Sequence, residues 1–123
     1  MFHAYEVARQ FITSLAPLVV QIKREDLELA DQLKRAAQSV LLNLAEGQKY
    51  SNGNRLRHYE IAHGSANEVR AALDAAVSWG WIGPEGPERV LLDRTLAILW
   101  KLTRSPALQK SAKPASSKLR EPA

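Results

Sequence analysis

The sequence predicts an all-α fold, an antiparallel up-down-up-down four-helix bundle. Three observations carry it. Apolar residues recur at alternating steps of three and four in four separate stretches, no stretch alternates apolar and polar as a half-buried strand would, and the connectors between the stretches are short. The bundle is expected over residues 1–104, with residues 105–123 as a separate tail.

The first helix is read from Tyr5, Ala8, Ile12, Leu15, Val19 and Ile22, which fall on one helical face, with Pro17 inside it as a bend. Ala30, Leu33, Ala37, Val40 and Leu44 define the second, and Tyr59, Ala62, Ala66, Val69, Leu73 and Ala76 the third. Between them Gly47 is placed just past the main body of the second helix, and Ser51 is read as the N-cap of the third, its hydroxyl accepting from a first-turn amide. GWIGPEGP forms the turn into the fourth helix, carried by Val90, Leu92, Leu96, Leu99 and Leu102. Helices of about 20 residues span roughly 30 Å each, and short connectors make sequential neighbours antiparallel.

Composition narrows the class of function. With 123 residues and 46% hydrophobic content the chain suits one domain with a real core. The absence of cysteine removes disulfides, thiolate metal sites and cysteine nucleophiles. The longest nearly apolar run, Leu15 to Val20, is far short of the ~20 residues of a membrane helix, and the N-terminus lacks the apolar core of a signal peptide, so a cytoplasmic protein with no membrane role is expected. The net charge is +4, of which the tail supplies +3 through Lys110, Lys113, Lys118 and Arg120 against Glu121. Rich in Pro, Ser, Ala and Lys, that tail is expected to be disordered.

No phosphate-loop glycine pattern, nucleophile elbow or dinucleotide fingerprint occurs. Asn43 and Glu46 lie one turn apart, but carboxylate chemistry needs a second acid or a histidine held nearby, so they are read as a structural network, with Arg35 as the ion-pair partner of Glu46 within or between subunits. His58 and His63 are five apart, about 140° around a helix, too far round for two ligands on one face. A non-enzymatic protein is expected, with no cofactor and no metal.

"QLKRAAQSVLLNLAEG" and "YEIAHGSANEVRAALDAAVSWGWI" resemble the four-helix bundle proteins encoded in 23S rRNA intervening sequences, with which the accessory variability proteins of diversity-generating retroelements are grouped. The resemblance covers about residues 5–103, and its most specific words are Q-L-K/R-R-A-A, N-L-A-E-G and I-A-x-G-S-x-x-E. It implies a cyclic homo-oligomer, a pentamer, with no established enzymatic activity. For the retroelement branch it also implies contacts with a reverse transcriptase and its RNA.

Two surfaces follow as candidates. Arg35, Leu42 and Glu46 on the second helix, with Ile61, Gly64, Glu68, Ala72 and Trp79 on the third, form faces rotated away from the core stripes and are the expected oligomer interface, the alternative being burial within one chain. Antiparallel topology brings Lys49, Arg55 and Arg57 to the same pole as Lys101 and Arg104, while Glu25, Asp26, Glu28, Asp31, Glu85, Glu88 and Asp93 gather at the other. Acids at helix starts and bases at helix ends complement the helix dipole for about 0.3–1 kcal/mol each, but the loop bases exceed that need. The expected function is RNA or DNA binding through this basic rim, the loop contributing affinity and little stability. The alternative is a protein-interaction scaffold, or an accessory subunit to a reverse transcriptase, without direct nucleic-acid binding.

Overall fold

Four α-helices and no strand make up residues 2–104, the part of the chain that the computed structural model describes. The tail expected to be disordered, 105–123, lies outside the described residues. Helix α1 spans His3–Lys23, α2 Leu27–Gly47, α3 Gly53–Ser78 and α4 Pro87–Thr103. Among the described residues no helix is long and apolar enough to cross a membrane.

Helix termini follow the local chemistry. Asp26 caps α2, its carboxylate accepting from the Leu29 amide at 2.9 Å. The cap of α3 is Asn52 and not Ser51: the Asn52 side-chain Oδ1 accepts from the Asn54 amide at 3.0 Å, one residue later than expected. Asparagine reaches the amide two residues on more readily than serine does, which fixes the start at Gly53. Gly47 is the last residue of α2 itself, not the residue beyond it. Helix α4 opens with Pro87, whose missing amide proton costs nothing in a first turn. Helix α1 runs unbroken through Pro17, which is exposed, so its ring meets solvent.

The helices pack in a cycle, α1 on α2 and α4, and α3 on α2 and α4, with the α2/α3 pair in most extensive contact. Every residue assigned to the core face of α2 and α3 is buried. The α1 face is turned from the expected one: Ala4, Ala8, Phe11, Leu15 and Ile22 are buried, whereas Tyr5, Ile12 and Val19 only border the core. Phe11 is fully buried in the core, and burying its large ring outweighs burying an aliphatic neighbour. In α4, Val90 is 63% exposed, and the buried stripe is Leu92, Thr95, Leu99 and Thr103. Both threonine hydroxyls donate to their own helix, Thr95 to the Leu91 carbonyl at 2.8 Å and Thr103 to that of Leu99 at 2.9 Å, so each buries its methyl without an orphaned donor.

Contacts near the helix ends are specific. At one end Phe2 stacks on Tyr59 at 6.0 Å between ring centroids, and His63 approaches Trp100 at 6.2 Å. At the other, Gln21 donates to the Trp81 carbonyl at 2.8 Å and Arg89 pairs with Asp74 at 2.9 Å.

Candidate nucleic-acid interface

Gly47 makes the first of these ends possible. A Cβ there would lie 2.6 Å from Cε1 and 2.9 Å from Cδ1 of Tyr59, so α2 and α3 approach at a distance only glycine allows. Tyr59 is 3% exposed, and burial raises its hydroxyl pKa above the ordinary 10.0, with nearby Arg55 pulling it down.

From Gly47 a chain of polar contacts follows the α2/α3 seam. The Asn43 amide nitrogen donates to the Ser39 carbonyl at 2.9 Å, which turns the Asn43 oxygen toward His58 Nδ1, also 2.9 Å away. With the amide so oriented, Nδ1 carries the proton and donates. Ser65 on α3 donates to the Ser39 hydroxyl at 2.7 Å, and the Tyr50 ring stacks on His58 at 5.8 Å and 2°. Asn43 and Gly47 belong to the N-L-A-E-G word and Ser65 to I-A-x-G-S-x-x-E, and here they join two helices. Glu46 pairs with Lys49 at 3.4 Å, so within the chain it is not the partner of Arg35, which lines a shallow groove with Glu28, Asp31 and Gln32.

Of the five cations placed at the basic end, Arg55 stands apart. Its guanidinium donates to the carbonyl of Gly47 at 3.2 Å, which also accepts from the Tyr50 amide at 3.2 Å, and to that of Gln48, the C-cap residue of α2, at 3.1 Å. Arg55 therefore clamps the end of α2, where the sequence led to the expectation of a loop contributing little stability. Lys49 is exposed and joined to Glu46. Arg57 and Lys101 are exposed and have no carboxylate partner among the described residues. Arg104 lies over the Trp100 ring, 3.9 Å from its centroid. Trp100, 52% exposed, and His63 beside it are members of this end that the sequence reading left out. Arg104 four residues after Trp100, one turn on, is the signal that could have found the pair. The two histidines face different partners, His58 toward α2 and His63 toward α4. Burial first, then the charges of Arg104 and Arg70, hold the His63 imidazole below its ordinary pKa of 6.5.

The faces assigned to self-association divide. Leu42 is 66% exposed, Ile61 41% and Trp79 71%, and Arg35, Gly64 and Glu68 are exposed with them. A Cβ on Gly64 would meet nothing within 4 Å, so this chain gives no packing reason for that glycine. Ala72 separates from the set, because at 7% exposure it belongs to the chain's own core. Trp79 stacks on Trp81 at 5.8 Å across Gly80, whose φ of +79° turns the chain.

The model of the family described as 23S rRNA-intervening sequence protein matches residues 2–95, which cover α1, α2, α3 and the first half of α4. The chain belongs to that family. No curated protein and no solved structure matches the chain. The matched span of the 23S rRNA-intervening sequence protein family holds Gly47, Asn43, His58 and Ser65, the residues that fit α2 to α3, along with Lys49, Arg55 and Arg57. It ends before Trp100, Lys101 and Arg104.

Proposed function

We propose that the chain is a non-enzymatic helical bundle, up-down-up-down in topology, that assembles into a cyclic homo-oligomer and binds RNA through a basic rim. The topology is supported by the pairs at the helix ends: Phe2 with Tyr59 and His63 with Trp100 at one end, Gln21 with Trp81 and Asp74 with Arg89 at the other. Along α2/α3, Gly47 meets Tyr59 while Ser39 meets Ser65, so one helix descends as the other climbs.

The observation that carries the functional reading is the state of the cations at the shared end. Arg57 and Lys101 are exposed without a carboxylate partner among the described residues, and Arg104 is held only against an aromatic face. Charges not consumed by internal pairs are available to phosphates, and displacement of counterions from RNA supplies the driving force. Lys49 adds to the rim, and Arg55 shapes it. The family description names the intervening sequence of 23S rRNA and no ligand, and RNA is the nucleic acid put to the test here. Exposed Leu42 and Ile61 with open Gly64 support self-association through the outer α2/α3 face, and five subunits is the number the family resemblance implies. In a ring with the bundles along its axis the rims lie on one side, and their potentials add.

The test is light scattering on the full chain together with filter binding to unpaired RNA at low and rising salt. Oligomeric mass and an affinity that falls linearly in log salt are expected. A monomer, or no binding at low salt, refutes the corresponding half.

A further inference from the structure

At the end of α4 the structure places a half-exposed indole among cations from two helices. Trp100 is 52% exposed; Arg104 lies 3.9 Å from its ring centroid, and the His63 ring of α3 borders it at 6.2 Å and 51°. Lys101 follows in sequence and is exposed. On α3 the same side carries Asn67, which donates to the His63 carbonyl at 3.3 Å and accepts from Arg70 at 3.0 Å, so the Arg70 guanidinium is held in place. Glu60 stands one turn before His63, and Asp93 is two turns, roughly 10 Å, before Trp100 along α4. Asp93 forms no ion pair with Arg104, Lys101 or Arg70 among the described residues.

A core role does not account for the indole. The buried stripe of α4 runs through Leu99 and Thr103, and Trp100, half exposed, lies at its edge. Its contact with Arg104 secures the helix end, yet it also does something a lone charge cannot: it sets a flat π surface beside fixed positive groups. That combination matches one chemistry, an unpaired nucleobase with its phosphates, because every base has a face to stack and each nucleotide carries one negative charge. Duplex RNA cannot use it, since its bases are already stacked on each other.

We propose that Trp100 is a stacking platform for an unpaired RNA base, with Arg104, Lys101 and Arg70 taking the adjoining phosphates. The proposal rests on the RNA-binding reading above and deepens it: the rim prefers single strands, and the preference resides in one side chain.

The experiment compares the full chain with its W100L and W100F variants, using a single-stranded RNA oligonucleotide and a duplex of the same sequence, each end-labelled. Trp100→Leu should weaken single-strand binding by roughly five-fold to a hundred-fold, the range for one lost base–aromatic stack, and leave duplex binding unchanged. Trp100→Phe, which keeps a π face, should restore most of the loss. Quenching of indole emission on adding the single strand should drop in W100F, although Trp79 and Trp81 remain. Equal loss for both probes, or full affinity in W100L, overturns the platform while leaving the rim in place. A change in oligomeric mass in W100L would mean that Trp100 faces a second copy, and also overturns it. If the unaltered chain binds neither probe, the RNA reading itself falls.

Discussion

Replacing Gly47 with alanine should destabilise the chain, against the ordinary direction of that change in a helix. Alanine in place of glycine inside a helix usually gains about 0.8–1 kcal/mol, and less at the last residue. Here the added methyl would stand 2.6 Å from Tyr59 Cε1 and 3.2 Å from His58 Cβ. The ring cannot swing clear, because it is 3% exposed and stacked on Phe2. Separating α2 from α3 instead would lengthen the 2.9 Å bond between Asn43 and His58, worth about 1 kcal/mol. Overpacking of this kind costs about 1–3 kcal/mol, and with a propensity gain of about half a kcal/mol at the helix end a net loss of roughly 0.5–2.5 kcal/mol is expected. For about 100 residues each kcal/mol moves Tm by roughly 4–8 °C, which circular dichroism melting resolves easily. In a Tyr59→Leu background the same substitution should cost less, because the obstructing ring is gone. A Tm that stays or rises in Gly47→Ala, or an equal cost in both backgrounds, would refute the close approach.

Arg55→Ser removes both hydrogen bonds to the end of α2 and should lower stability by about 1–2 kcal/mol, read as a Tm drop, whereas Arg57→Ser should leave Tm nearly unchanged and weaken RNA binding. Equal melting of the two variants would remove the distinction between clamp and contact. Gly64→Glu should yield smaller species by light scattering with far-ultraviolet helicity kept, since nothing in its own chain obstructs the site; unchanged mass would detach Gly64 from any interface. His63 has its pKa lowered on folding, so below its ordinary 6.5 the unfolded chain binds more protons than the folded one, and stability should rise with pH through the window just under 6.5. His63→Gln should flatten that dependence, and an unchanged profile would assign it elsewhere.

The four helices were legible because the apolar stripes of α2 and α3 are narrow and unambiguous, and residues named for them are the buried ones. Helix α1 is apolar on adjoining sides, so spacing alone chose Ile12 over its buried neighbour Phe11 and included Val19, which only borders the core. In α4 periodicity counts only apolar residues, and it passed over Thr95 and Thr103, whose hydroxyls are satisfied within the helix. The cations of the rim were visible as charges, but what each one touches was not. That Arg55 turns back onto α2 while Arg57 faces solvent depends on where α3 starts, and that start moved by one residue when Asn52 took the cap. Gly47 suggested punctuation from its position; its function is to admit the Tyr59 ring, which becomes apparent only when the two helices are set side by side.

The central claim is that the unpaired cations at one end of the bundle hold RNA by its phosphates. The most direct measurement is the salt dependence of affinity for unpaired RNA in the full chain and in a variant with Arg57, Lys101 and Arg104 all changed to Ser, Arg55 being left to hold α2. The unaltered chain should lose affinity linearly in log salt, and the variant should bind more weakly with a slope flatter by about 0.7 for each phosphate contact removed. Equal affinity and equal slope in the two proteins, with both fully folded, would contradict the account.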